Sequence, residues 1–419
     1  MTEVEWNYLK IGYKPRDDVV CLFRIEPGEN LTLKEAAETV ALESSTGTWT
    51  KIPGREYVNK LNAKVFSIKG NFVKIAYPSA LFERGNAPNI LSSIAGNIFG
   101  MKAVRNLRLE DVSFPKNLVK SFPGPYYGIE GIRKLLKVYN RPLLGTIIKP
   151  KLGLPPKEHA LSAYNSWRGG LDLVKCDENL ASQDFNRFEE RLSKTLEMKD
   201  KAEEETGERK GYLENVTAET NEMIRRAELI KSLGGKFCMV DILTEGWGAI
   251  QTLREANFKI AIHGHRASHA TMTRNPKHGI RMIVLADFAR LIGVDSLHIG
   301  TGIGKLEGDI KDVYELAEEI EKDRVEETKL RLKQDWYGKK PVLAVCSGGL
   351  TPLHFPYLIR HLGKDIILQC GGGIHGNKLG TISGAKAARQ AVDATMQGIG
   401  LKEYAKTHSE LKSTIEQWG

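Results

Sequence analysis

Hydrophobic residues in the last two-thirds of the chain fall in short runs, each followed by a longer charged stretch with helical spacing. Eight of these runs predict strands at 143–148, 171–174, 212–216, 236–240, 258–262, 296–299, 341–345 and 365–369. Strands alternating with helices predict βα units in a parallel sheet. Eight units in about 270 residues is the size of a TIM (β/α)8 barrel. An open doubly wound sheet is the competitor, but no G-x-G-x-x-G opens a helix after the first strand. Residues 1–124 mix short strands with helices and end at the turn-rich Phe122-Pro-Gly-Pro125. The expected fold is α/β, a C-terminal TIM barrel at 125–400 preceded by a smaller α+β domain at 1–124, with a helical tail at 401–419.

Polar residues gather at the carboxyl ends of the predicted strands, which a TIM barrel brings to one face. Lys149 and Lys151 follow the first, and Lys175, Asp177 and Glu178 the second. Asn215 lies in the third, Asp241 follows the fourth, and His263, His265 and Arg266 close the fifth. His298 lies in the sixth, Ser347-Gly348-Gly349 follow the seventh, and Gly371-Gly372-Gly373 the eighth. Asp177 and Glu178 offer hard oxygens of the kind Mg²⁺ takes. Lys175 would repel a metal unless CO₂ carbamylated its amine into a third anionic ligand. A lone K-x-D-E is more often a strand-end ion pair, and it is the rest of the chain that reverses this reading. Lys149 and Lys151 alternate onto one strand face, where mutual repulsion would make one an acid/base. The paired glycine loops after strands 7 and 8 suit a phosphate.

Two lookalikes are set aside. Gly300-Thr-Gly-Ile-Gly304-Lys305 is too short for a nucleotide P-loop and has Leu306 where Ser or Thr belongs; it reads as a mobile lid carrying a cation. His263, His265 and His269 resemble a zinc cluster, but Arg266 among them favours proton transfer and anion binding.

Composition narrows the function classes. With 41% hydrophobic and 27% charged residues, disorder is excluded, and no apolar run approaches the ~20 residues of a membrane span. The amino-terminal residues lack a signal-peptide pattern, and five scattered cysteines without a C-x-x-C suit a cytoplasmic, reduced protein. The net charge of +9 is spread among acids, as at 187–210 and 311–340, so nucleic-acid binding is not expected. The positive charge is expected to meet a small anionic substrate.

Taken together the motifs resemble ribulose-1,5-bisphosphate carboxylase/oxygenase (RuBisCO) large subunits, most closely the archaeal form III type. They include Glu43-Ser-Ser-Thr-Gly-Thr48-Trp49, Gly96-Asn97-Ile-Phe-Gly100, Gly145-Thr-Ile-Ile-Lys149-Pro-Lys151, the Lys175 cluster, His265-Arg266, His298, Gly304-Lys305-Leu-Glu-Gly308 and both glycine loops. The resemblance implies carboxylation, and oxygenation by O₂, of ribulose 1,5-bisphosphate, with nucleotide ribose recycling as the setting. It implies that Lys175, carbamylated by CO₂, binds Mg²⁺ with Asp177 and Glu178 and removes the C3 proton, giving an enediolate on the metal. Lys305 would stabilise the new carboxylate, Lys149 would protonate the departing carbanion, and Lys151 and His265 would support proton movements. One phosphate would lie on Thr48, Trp49, Gly348, Gly349, Gly371 and Gly372, the other on Arg266 and His298, with Ser347 on the sugar. Glu43 would orient Lys305 and Asn97 would lie beside the metal. In this family Glu43, Thr48, Trp49 and Asn97 complete the neighbouring subunit's site, so a homodimer is the smallest expected unit, without a small subunit. The alternative is a RuBisCO-like enolase or isomerase of another phosphorylated sugar.

Three departures from the family pattern stand out. Cys176 replaces the usual Asp or Asn; strand alternation should point it away from Lys175 and Asp177, so activity is expected to survive, with oxidation of the thiol a separate hypothesis. Ile299 and Gly302 in the lid bear on rate and CO₂/O₂ preference. Gly376-Asn-Lys-Leu reads as a surface turn.

Overall fold

The computed structural model describes residues 8–47, 54, 56–303 and 309–419. Two compact units result, one of residues 1–124, 268–292 and 322–339, the other of 125–267, 293–321 and 340–419.

The second unit is a closed barrel of eight parallel strands. They are β1 (Leu143–Ile147), β2 (Leu173–Lys175), β3 (Gly211–Asn215), β4 (Phe237–Asp241), β5 (Ala261–His265), β6 (Ser296–His298), β7 (Leu343–Ser347) and β8 (Ile366–Cys370). The β8 strand pairs with β1 and β5 with β6, closing the ring. Along each strand alternate side chains share a face. On that face Leu143, Leu173, Leu213, Phe237, Met239, Ala261, Leu343, Val345 and Ile367 form one apolar cluster. Two residues further along the same faces stand Lys175, Asn215, Asp241, His263 and Ser347. The barrel is therefore oily at the start of its strands and polar at their ends. The floor is sealed by the helix Gly128–Leu136, whose Ile129, Ile132 and Leu136 join the same cluster at i, i+3, i+7 spacing.

The expected tail belongs to this unit. Asn377, in the turn read as superficial, is 4% exposed and donates to Thr414 Oγ1 at 3.0 Å, while Gln417 donates to the Gly376 carbonyl at 2.8 Å. The turn at 376–379 is thus pinned to the terminal helix Ser409–Trp418.

The first unit holds a five-stranded sheet in the order Gly279–Ile280, Val104–Ser113, Asp18–Pro27, Phe72–Pro78, Lys64–Lys69. It includes the helix Met282–Ile292, which follows β5 in sequence. That helix is buried from Ile283 through Ile292, and Phe288 meets Phe114 edge-on at 5.6 Å. Nine of its eleven residues are apolar and only Asp287 and Arg290 are charged, so a helix buried along this length needs cover on every side, which fits its grouping with the sheet. The helix Leu33–Glu43 starts at a Thr32–Glu35 capping box and ends in Glu43. Asn97 opens the short 3-10 turn Asn97–Gly100.

Candidate active site

Lys175 ends β2 and is 1% exposed, one of the largest fully buried side chains in the molecule. Its Nζ donates to the Cys176 carbonyl at 2.7 Å and contacts Met239 Sδ at 3.2 Å. The nearest carboxylate oxygen, Glu178 Oε2, is 3.4 Å away. Lys149 Nζ lies 3.0 Å from Asp177 Oδ2. Burial alone would raise the Glu178 carboxyl, but the Lys175 ammonium and His265 outweigh it and hold it at about 2. Asn215 on β3 donates to the Glu178 and Leu180 carbonyls, both at 3.1 Å, and so fixes the loop carrying the two acids.

Lys149 and Lys151 do not share a strand face as expected. The β1 strand stops at Ile147, so both lie in the following loop and each finds its own partner. Lys149 takes Asp177, while the exposed Lys151 bonds Asn179 Oδ1 at 3.1 Å.

Across the barrel, Asp241 and His265 are register partners on β4 and β5. Asp241 Oδ1 meets His265 Nδ1 at 2.7 Å, leaving Nε2 directed at Glu178 Oε2, 3.6 Å away. The carboxylate so placed selects the tautomer with the proton on Nδ1. A second chain runs Ser296 Oγ, His263 Nδ1 at 2.9 Å, His263 Nε2 to His298 Nε2 at 2.8 Å, and His298 Nδ1 to Ser347 Oγ at 2.7 Å. Burial pushes both imidazoles well below the usual histidine range. Two neutral rings facing through Nε2 must be opposite tautomers, so the four groups form a directed hydrogen-bond wire.

Arg266 follows β5, and desolvation draws its guanidinium down to about 10, so it stays cationic near neutrality. No ion pair to it is found among the described residues. At Gly371 an added Cβ would stand 2.9 Å from Lys149 Cε, so glycine lets the β8 loop approach that lysine. Gly302, a departure in the lid, has φ +61° and would bring a Cβ within 2.5 Å of Ile310 Cα; local packing requires it. Ile299 is 2% exposed.

Cys176, just past β2, contacts Tyr212 and Glu214 on the side away from Lys175, as strand alternation predicts, and is fully buried. Burial, then the Glu214 carboxylate, push the thiol up to about 12, so a reactive thiolate is suppressed.

Lys149, Lys175, Asp177, Glu178 and His265 therefore come together, and Ser347 joins His298. Gly348 and Gly349 follow β7, and Gly372 follows Gly371 after β8. Glu43 and Asn97 belong to the first unit, where both are exposed. Thr48, Trp49 and Lys305 lie outside the described residues. Asp241, His263 and Met239 were not assigned roles from sequence, although Asp241 and His263 already stood at strand ends.

Among the described residues no group of three His, Cys, Asp or Glu side chains could hold a metal ion. Asp177 and Glu178 supply two hard oxygens, and the third position is taken by the Lys175 amine. The set fits Mg²⁺ once that amine carries a carboxyl group. No helix among the described residues is long and apolar enough to cross a membrane.

A closed (β/α)8 barrel with lysines, paired acids and an aspartate-oriented histidine at the ends of its strands defines a barrel enzyme of acid–base chemistry. Residues 128–418 match the family described as ribulose bisphosphate carboxylase large chain, catalytic domain, and 7–118 match its N-terminal domain. The chain belongs to this family. It is 50% identical to the ribulose bisphosphate carboxylase of Methanosarcina mazei over 98% of this chain and 99% of that protein. A solved dimeric archaeal Rubisco from Hyperthermus butylicus superposes with a TM-score of 0.93 at 47% identity, covering 98% of each chain. The octameric enzyme of Pyrococcus horikoshii OT3 gives 0.92 at 43% identity, covering 99% of each.

Proposed function

We propose that this chain carboxylates ribulose 1,5-bisphosphate to two molecules of 3-phosphoglycerate. The observation that carries the reading is the meeting of the Lys175 amine, Asp177 and Glu178 at one strand end, with Lys149 and His265 beside them. Relatives about half identical over their full length bear the carboxylase name, which weighs against the isomerase alternative.

Activation would begin with loss of a proton from the Lys175 ammonium; addition of CO₂ to the amine then gives a carbamate and releases a second proton. Asp177, Glu178 and that carbamate would hold Mg²⁺. When bound, the ion would polarise the substrate's oxygens and lower the cost of enolisation. The carbamate would take the C3 proton. After CO₂ adds at C2 and water at C3, the C2–C3 bond would break, and Lys149, beside Asp177, would deliver a proton to the carbanion left at C2. His265, held in one tautomer by Asp241, would pass protons near Glu178. Arg266 and His298 would bind one phosphate, the glycines at 348–349 and 371–372 with Thr48 and Trp49 the other, and Ser347 the sugar. Lys305 would stabilise the new carboxylate, with Glu43 orienting it, and Lys151 would support Lys149. The exposure of Glu43 and Asn97 on the first unit suits service in a neighbouring copy, hence a homodimer or an assembly of dimers. Oxygenation of the same substrate and recycling of nucleotide ribose extend the reading from the archaeal type.

The test is incubation of purified protein with Mg²⁺, labelled bicarbonate and the bisphosphate. Acid-stable label in 3-phosphoglycerate, absent with Lys175→Ala, is expected. Absence of label with the bisphosphate still consumed would overturn the reading.

A further inference from the structure

Outside the barrel wall, behind the loop that carries Asp177 and Glu178, lies a second group of buried ionisable side chains that the reaction above does not use. Arg191, in the helix Phe188–Thr206, and Glu214, on β3, are both wholly buried. Arg191 Nη2 and Nε lie 2.6 and 3.0 Å from Glu214 Oε1, and Nε lies 3.2 Å from Oε2. The remaining donors of the guanidinium go to the β2 loop. Nη2 donates to the Ala181 carbonyl at 2.7 Å and Nη1 to the Asn186 carbonyl at 2.9 Å. Asn186 in turn donates to the Leu154 carbonyl at 2.8 Å, tying in the loop after β1.

A wholly buried ion pair seldom repays its desolvation in stability, so the contacts it makes are the better guide to its role. Glu214 and Asn215 are consecutive on β3 and point to opposite faces. Asn215 holds the Glu178 and Leu180 carbonyls from inside the barrel, while Glu214, through Arg191, holds Ala181 and Asn186 from outside. Two neighbouring residues of one strand thus grip the same loop from both sides.

Cys176, between Lys175 and Asp177, brings a thiol to the outer side of this loop. Cys176 Sγ donates to Glu214 Oε1 at 3.1 Å. Behind it Tyr212 Oη stands 3.0 Å from the sulfur and 3.0 Å from His159 Nε2, so the donors run His159, Tyr212, Cys176, Glu214 in one direction. The carboxylate beside position 176 therefore comes from β3.

We infer that Arg191 and Glu214 are positioning residues for the Asp177–Glu178 loop, and that the carboxylate this loop needs beside position 176 is supplied by Glu214. The inference rests on the carboxylase reading, because it assigns the loop its metal-binding task.

The test is a charge-relocation cycle of Glu214→Gln, Cys176→Asp and the double variant in the full chain. Each is assayed for the Mg²⁺ concentration giving half-maximal activation, for the Mg²⁺-induced rise in melting temperature, and for KM of the bisphosphate. Loss of a partner behind a metal ligand typically weakens metal binding roughly 10- to 100-fold. Glu214→Gln should do so with KM little changed, and Cys176→Asp, which sets two buried carboxylates together, should lower the metal-free melting temperature. The double variant should return to within a few-fold of the parent in both Mg²⁺ measures. A Glu214→Gln protein that melts lower but keeps its Mg²⁺ dependence would show a purely structural pair and overturn the inference. A double variant no better than Glu214→Gln overturns the relocation. If Glu214→Gln does not fold, the double variant decides: folded with parental Mg²⁺ dependence it supports the inference, otherwise it overturns it. A parent chain with neither carboxylation nor Mg²⁺ response would sink the functional reading itself, whereas a normal parent with indistinguishable variants sinks only this inference.

Discussion

Asp295 bolts the barrel together, and its replacement by asparagine gives a worked prediction. The side chain is wholly buried. Its Oδ1 accepts from the backbone N–H groups of Tyr127 and Gly128 at 2.6 and 3.0 Å, at the start of the floor helix. Its Oδ2 accepts from Arg254 Nη2 at 2.5 Å and from the Ile262 N–H at 2.9 Å. Asparagine keeps one oxygen but turns an NH₂ group toward the other pair of donors, so two hydrogen bonds are lost. If Arg254 is the group left unpaired, a buried cation loses its counter-ion at a cost of about 3–5 kcal/mol. If the helix N–H groups are left instead, two desolvated donors cost about 1–3 kcal/mol each, a similar total. For a unit of about 250 residues this is a fall in melting temperature of roughly 6–10 °C. Thermal unfolding at fixed protein concentration measures it, and hydrogen exchange at Tyr127, Gly128 and Ile262 tells which pair was released. The exposed Arg187–Asp184 pair provides a control, since Arg187→Ala should cost about 0.5 kcal/mol or less. An Asp295→Asn protein melting as that control does would refute the account of the barrel floor.

Asp241→Asn should lower kcat about 100-fold with KM of the bisphosphate nearly unchanged, because it frees the His265 tautomer without touching the phosphate residues; equal losses in both would count against the assignment. Gly371→Ala should leave the melting temperature nearly unchanged, since the one tight approach of its methyl is to Cε of the flexible Lys149 and its other neighbours lie at ordinary contact distance, yet reduce carboxylation at least about tenfold by moving that amine. Burial lowers His159 to about 3 and His375 to about 4. Both lie below the unfolded value near 6.5, so their stabilising effect is complete above pH ~6.5 and is lost as pH falls toward those values, at ~1.4 kcal/mol per pH unit for each. Denaturant midpoints at pH 7 and 5 check this, and His159→Gln should flatten the acid limb; an unaltered slope would contradict it.

The eight barrel strands were legible as apolar runs, but their limits were not. Strands covered on both faces carry no alternation to fix their ends. The fifth was expected at 258–262, whereas β5 is Ala261–His265, because Asn257 and Lys259 take left-handed φ values of +52° and +57° that no glycine announces. The acids and bases of the site were legible because barrel topology gathers strand ends. Their couplings were not. The His263–His298 bond spans neighbouring strands and needs the register of β5 on β6, and the Lys149–Lys151 expectation failed because β1 ends at Ile147, before either lysine. Likewise the apolar helix Met282–Ile292, counted with the barrel by its place in the order, groups with the first unit because its whole surface needs cover.

The five cysteines are unpaired and all buried. Cys21 lies in the first unit, and Cys176, Cys238, Cys346 and Cys370 in the second. A thiol-selective alkylating reagent therefore meets no cysteine until part of the chain opens, and the mass added reports which part. A single adduct on Cys21 marks opening of the sheet, and a jump of four marks collapse of the barrel. The protein thus carries its own label for timing, unit by unit, how it comes apart.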